Sequence, residues 1–273
     1  MSSPDAPANP LAAPEPWDLV SSGYAEELAP RLRLYAEDAL QLAGVSGGAR
    51  VLDVACGAGP LAILAARRGA SVDALDFAAR MIDELRSAIA RDSIEGVTAW
   101  LGDGQALPFG DGTYDAAFSM FGLMFFPDRA RGFAELRRCL KEGGVAVVSS
   151  WLPMETVPFL AGIFAALRAR MPGLQLGSQE APLSNPERFA GEMTGAGFRE
   201  VAVHEVRHTF DFPSTAATWT FMLRTMAPLT MLSRKMGPSW APVGEALLAD
   251  LLKTFGSGAQ SVTMPAWLGA GRR

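Results

Sequence analysis

A chain of 273 residues that is 49% hydrophobic and 19% charged carries enough apolar material for a sizeable core, and points to one domain with insertions. Its net charge of −5 excludes the basic stripe that a nucleic-acid footprint needs. No run approaches the roughly 18 consecutive apolar residues of a membrane span. These bounds predict a soluble, cytoplasmic protein; a small-molecule substrate and a monomeric or homodimeric state are expected alongside them, though composition does not give either. Two cysteines, Cys56 and Cys139, read as buried thiols in a reducing compartment, and no metal-ligand spacing occurs.

Residues 1–16 hold Pro4, Pro7, Pro10, Pro14 and Pro16 and no basic residue, which fits neither a signal nor a transit peptide and predicts a flexible arm. A helical cap is expected over 17–44, where Leu28, Leu32, Leu34, Tyr35, Ala39 and Leu42 recur at mostly helical spacing before Gly44. The next stretch, Val51–Pro60, organises the rest. A β-branched run reads as a buried strand and stops at Gly57 and Gly59, where the backbone turns sharply; Pro60 then suits the first turn of a helix that ends before Gly69. Helix-end N–H groups at such a turn attract electron-rich ligand atoms.

Gly57, Gly59 and Ala62 satisfy the permissive pattern G-x-G-x-x-G/A, and Asp76 lies about 20 residues on, where a ribose-binding carboxylate belongs. The spacing leaves a dinucleotide and a sulfonium nucleoside both open. Asp53 separates them. A carboxylate inside a buried strand is costly unless it meets donors or a cation, so it repels a pyrophosphate and welcomes a sulfonium ligand with an ammonium group. A second acidic turn, Gly102-Asp103-Gly104-Gln105, precedes Leu107-Pro108-Phe109.

Strands are predicted near 50–55, 71–76, 97–101, 114–119 and 145–151. They alternate with helices near 60–68, 78–91 and 128–141, the last closed by Gly143-Gly144; this order gives a parallel sheet. Ligands of such sheets lie outside the carboxyl ends of the strands, which selects 56–59, Asp76-Phe77, 103–105 and 119–121. The two oxygens of Asp76 match two ribose hydroxyls, Phe77 and Met81 suit the faces of an adenine, and Asp103 suits its amino group or, alternatively, its own turn. Beyond Trp151 a helix is expected near 156–170, then a loop through Pro182 and a helix capped by Asn185 and closed at Gly195–Gly197. A strand over Glu200–Phe212, helices near 214–226 and 240–255 and a last strand over Val262–Ala270 follow. Insertions at about 152–198 and 213–258 are expected to form a helical lid on the core, which spans 45–273. Phe221, Met222, Met226, Met231, Met236 and Trp240 give that lid an adaptable apolar surface, suited to an apolar or aromatic substrate.

Four motifs occur in order: Val-Leu-Asp-Val-Ala-Cys-Gly-Ala-Gly-Pro from 51, Ala-Leu-Asp-Phe-Ala-Ala-Arg-Met-Ile from 74, Leu-Gly-Asp-Gly-Gln-Ala-Leu-Pro-Phe from 101 and Tyr-Asp-Ala-Ala-Phe-Ser-Met-Phe-Gly-Leu from 114. Over residues 45–151 the chain resembles class I S-adenosylmethionine-dependent methyltransferases, most of all the branch of ubiquinone/menaquinone-type and secondary-metabolite methyltransferases. The resemblance implies an α/β fold: a Rossmann-like seven-stranded, mostly parallel sheet with helices on both faces, its last strand antiparallel between its neighbours, and an added helical lid. It implies S-adenosyl-L-methionine as cofactor, held by Tyr24, Asp53, Ala55, Gly57, Gly59, Asp76, Phe77, Met81, Asp103, Gly104, Gln105 and Met120. In that family an N-terminal aromatic segment folds over the cofactor, and Trp17 and Tyr24 match it.

Methyl transfer from a sulfonium is an in-line displacement of an activated donor, so near-attack geometry matters more than a dedicated base. His204 and His208, four apart on one predicted strand, share a face and are weak general-base candidates beside Tyr24; Glu155 and Asp211 are weaker still. Arg207, Arg224, Arg234 and Lys235 are candidate partners for an acidic substrate. Two rival readings are an NAD(P)-dependent oxidoreductase built on the same glycine turn and a cofactor-binding protein without transferase activity.

Overall fold

Hydrophobic runs alternating with amphipathic helices produce a seven-stranded sheet in the order β3-β2-β1-β4-β5-β7-β6. The computed structural model describes residues 9–174 and 183–273; the first half of the predicted arm and the last residues of the loop expected to run to Pro182 lie outside the described residues. Strands β1 (Arg50–Val54), β2 (Ser71–Asp76), β3 (Val97–Leu101), β4 (Tyr114–Ser119) and β5 (Leu140–Trp151) pair in parallel. Between β5 and β6 (Arg199–Phe212), β7 (Gln260–Arg272) runs antiparallel to both. The crossovers are α3 (Pro60–Arg67), α4 (Ala79–Arg91) and α5 (Arg129–Cys139). Met81, Ile82 and Leu85 of α4, like Phe133 and Leu136 of α5, are buried, so each helix lays one apolar face on the sheet.

Two predicted boundaries move. Gly143-Gly144 does not close α5: the helix stops at Cys139, Leu140 turns at once into extended conformation, and both glycines lie within β5. There they take up the register shift by which Tyr114 pairs Leu140 while Ala116 pairs Val145. At the other end the arm does not stay loose up to residue 16. Pro10–Ala12 form a 3₁₀ turn, capped by the Asn9 side chain, and α1 (Glu15–Gly23) begins before Trp17. A π-helical turn, Tyr24–Leu28, joins α1 to α2 (Ala29–Leu42). Leu32, Tyr35, Ala36, Ala39 and Leu40 form the buried face of α2, while Leu34 points outward at 44% exposure.

The expected lid also divides differently. Helix α6 (Pro158–Arg170) joins α8 (Thr215–Thr225), α10 (Trp240–Phe255) and an additional helix, α9 (Ala227–Met236), around an apolar cluster that includes Phe159, Ile163, Trp219, Phe221 and Met222. Helix α7 (Pro186–Gly195), capped by Asn185 through its bond from the Arg188 amide, is no lid element. Its Phe189 and Met193 are fully buried with Leu52, Val54 and Ala117 of the sheet, so it covers the second face of the core. The cap is pinned to the lid: the Arg31 guanidinium stands over the rings of Phe210, Phe212 and Phe221, and Arg224 pairs with Glu26 and Glu27.

Candidate active site

At the carboxyl ends of β1 to β4 a cavity of about 150 Å³ opens. Tyr24, Ala55, Gly57, Asp76, Phe77, Met81, Asp103, Gly104, Gln105 and Met120 all line it. Two expected residues stand back from the wall: Gly59, left-handed at φ 79°, caps α3, and Asp53 lies within β1. The turn itself is shaped by glycine. Gly57 has φ +55°, and a Cβ there would come 3.2 Å from the Tyr24 ring.

Asp76 ties this turn to the next strand. One carboxylate oxygen accepts from the Gly57 amide at 2.8 Å and the other from the Ala78 amide at 2.9 Å. Burial pushes its pKa up to about 6, against the pull of the Ala78, Gly57 and Phe77 amides. Each oxygen keeps a further lone pair for a ligand hydroxyl. Asp53 is 1% exposed and neither of its oxygens has a partner in hydrogen-bonding geometry. Burial raises it to about 7; the Ala62 amide in the first turn of α3 opposes that rise, and the Asp76 charge adds to it. Tyr24 is pushed above the ordinary phenol range by burial and then by Asp76 and Asp53, so it stands as a neutral hydroxyl. Asp103 plays the turn role foreseen as its alternative: Oδ1 accepts from the Gln105 amide at 2.9 Å, and Gln105 Oε1 accepts from the Asp128 amide at 2.9 Å.

The histidines are corrected by their place in the sheet. Strand β6 is the edge strand, separated from β4 by β5 and β7, so its side chains do not reach the cavity. His204 is exposed, and His208 pairs with Asp38 at 2.7 Å and stands edge-on to Tyr35; neither lines the cavity as a base would. Asp211 accepts from the Ser261 hydroxyl at 2.6 Å, and Glu155 is exposed in a 3₁₀ turn. Arg207 and Arg224 are engaged with neighbouring glutamates, and no Lys, Arg or His is among the described residues of the cavity wall.

The wall residues Leu11, Ala12 and Phe125 escaped the sequence reading, whereas Trp17, Ala55 and Phe121 were among its candidates. Leu11 and Ala12 come from the supposed arm; the local signal was Asn9-Pro10, a side-chain cap followed by a first-turn proline. Trp17 donates through Nε1 to the Leu11 carbonyl at 2.9 Å, and its ring lies 5.0 Å from Phe125, which closes the wall between cap and core. Ala55 and Phe121 carry left-handed backbones, at φ 56° and 59°, without being glycine, and both face the cavity.

Comparison with known proteins agrees with this geometry. The family model described as a methyltransferase domain matches residues 51–144, which span β1 to the start of β5. The ubiquinone/menaquinone biosynthesis C-methyltransferase UbiE of Citrifermentans bemidjiense is 32% identical over 205 residues, covering 68% of this chain and 83% of that protein. The chain belongs to the class I S-adenosylmethionine-dependent methyltransferases. An uncharacterized protein of Mycobacterium tuberculosis is also 32% identical, over 157 residues; the match takes in 57% of this methyltransferase-family chain and about half, 55%, of that relative. Among solved structures, the [4+2]-cyclase SpnF has a TM-score of 0.57 at 19% identity, over 88% of this chain and 81% of that one. A putative methyltransferase of Bacillus halodurans gives 0.57 at 19% identity, over 87% and 97%. At such identities the likeness is one of fold. Among the described residues of this family member no helix is long and apolar enough to cross a membrane, and no cluster of metal-ligating side chains occurs.

Proposed function

We propose that this protein transfers a methyl group from S-adenosyl-L-methionine to a small, uncharged, apolar or aromatic molecule. The observation that carries the reading is Asp53: a buried carboxyl without a hydrogen-bond partner, in the strand that leads into the glycine turn, in a site whose described wall offers no cation. A ligand bearing an ammonium group supplies what that carboxyl lacks. Asp76 would accept from the ribose hydroxyls, Gln105 and the Asp103 turn would meet the adenine edge, and Phe77 and Met81 would flank its faces. Bound there, S-adenosylmethionine supplies a methyl group already activated by positive sulfur.

No histidine or lysine is among the described residues of the wall, its carboxylates Asp76 and Asp103 are held by backbone amides, and Tyr24 holds its proton, so the site suits an acceptor that offers an electron pair without a dedicated base. An electron-rich ring carbon does so. The 32% identity to a protein named as a quinone-pathway C-methyltransferase supports carbon as the receiving atom. An NAD(P)-dependent oxidoreductase would have to settle a pyrophosphate near Asp53 and Asp76 without a cation. Calorimetry with S-adenosylhomocysteine and with NAD tests the choice: the former is expected to bind, and binding of NAD alone overturns it. Incubation with a labelled methyl donor and a set of hydroquinones then separates a transferase from a protein that only holds the cofactor.

A further inference from the structure

The lining of the donor cavity and the apolar cluster under the lid are nearly separate sets of residues. Three side chains belong to both: Phe121 is a member of the lid cluster, and Tyr24 and Met120 pack against it. An acceptor on the lid side of the cavity therefore meets the donor at these three. Of them, Phe121 is the most rigidly built. It lies just beyond the end of β4 with φ +59°, a strained conformation for a non-glycine residue. Its amide donates to Ser149 Oγ at 2.8 Å, and the Ser119 hydroxyl accepts from the Leu123 amide at 3.0 Å, so the turn is held on both sides. The following residue is Gly122, where a Cβ would collide with that of Ala55, the other left-handed non-glycine residue of the described cavity wall. The Phe121 ring stacks on Trp151 with centroids 3.8 Å apart and planes at 14°, and Tyr35 abuts it edge-on at 5.2 Å. Backbone strain and two aromatic contacts together fix one ring at the place where donor and lid meet.

We propose that Phe121 determines acceptor specificity, providing the fixed aromatic wall against which a flat, uncharged ring system packs in preference to a puckered molecule of equal size. This rests on the methyltransferase reading above and goes beyond it in naming the selecting residue and the shape it selects. A flat ring gains offset or edge-on contact with a ring already immobilised, so little side-chain entropy is lost on binding.

Equilibrium dialysis with the full chain saturated in S-adenosylhomocysteine tests this, using 2-naphthol as flat probe and decahydro-2-naphthol as its saturated counterpart. The expected result is saturable uptake of 2-naphthol about tenfold tighter than that of the saturated alcohol. Phe121→Leu should bring the two affinities to within about twofold of each other, whereas Phe121→Tyr should keep the preference. Equal affinities in the unsubstituted protein, absence of saturable 2-naphthol uptake, or a preference that survives in a folded Phe121→Leu variant each overturns the proposal. The comparison of the two alcohols on the unsubstituted protein decides it even where the leucine variant does not fold. Failure of S-adenosylhomocysteine itself to bind would instead remove the donor reading.

Discussion

The two halves of the site are built from opposite materials. On the donor side, strand ends present carboxylates, backbone amides and left-handed turns: Asp76 joined to Gly57 and Ala78, Asp103 joined to Gln105, and Asp53 alone beneath. On the lid side, α6, α8 and α10 meet α2 around Phe159, Ile163, Trp219, Phe221 and Met222, and the contacts are apolar apart from the Arg31 guanidinium over the Phe221 ring. Hydrogen-bonded geometry tolerates little displacement, whereas apolar packing accepts substitutions of similar volume. The donor end is thus specified atom by atom and the lid by shape.

The sharpest way to break this contrast is Gly57→Val. A β-branched residue at φ +55°, directed at the Tyr24 ring, should weaken S-adenosylhomocysteine binding more than about 100-fold by calorimetry; unaltered affinity in a folded variant would detach the turn from the site. Asp76→Ala comes next. It frees the Gly57 and Ala78 amides and removes the acceptor for the ribose, a loss of about 1.5–3 kcal/mol, or roughly 10- to 150-fold in the same measurement.

Acidity sharpens it further. An ammonium ligand favours the ionised form of Asp53, so the complex holds fewer protons there than the free protein, and affinity rises with pH until the free carboxyl, at about 7, is ionised. Below that point it should fall about tenfold per pH unit, with Asp76, at about 6, contributing in the same direction as ribose hydroxyls donate to it. Asp53→Asn should remove the upper part of this dependence in titrations between about pH 5 and 9. For the unliganded fold the sign reverses. The Asp53 carboxyl ionises more easily unfolded, so stability declines as pH climbs from 3.8 through about 7, and Asp53→Asn should melt higher than the parent at alkaline pH.

The lid should answer differently. Met222→Ala is expected to cost about 2–5 kcal/mol in denaturant unfolding while the folded variant binds S-adenosylhomocysteine within about twofold of the parent, because it empties lid core and touches no cavity atom. The smallest effect belongs to His208→Gln, which should leave donor affinity unchanged and methyl transfer within about twofold, since the imidazole faces Asp38 rather than the cavity. A large loss of transfer there would return the edge strand to the chemistry.

Much of the donor half was legible in the linear sequence, because its signals are local. A strand that ends in Gly57 and Gly59, a carboxylate at each of the next two strand ends, and a helix opened by Pro60 are each written within a few residues. Backbone dihedrals and hydrogen-bond donors at such turns follow from residue type alone. The order of strands and helices through Trp151 followed for the same reason, since the periods of apolar residues differ between the two. Tertiary structure alone decided the rest. It took Leu11 and Ala12 into the wall, moved α7 from the lid to the sheet, left His204 and His208 on an edge strand, and set Phe121 against Trp151. Each of these depends on which distant surface a segment buries against. An apolar face gives the same periodic pattern whether it meets a sheet, a lid or a ligand, so its partner is chosen by packing between residues far apart in the chain.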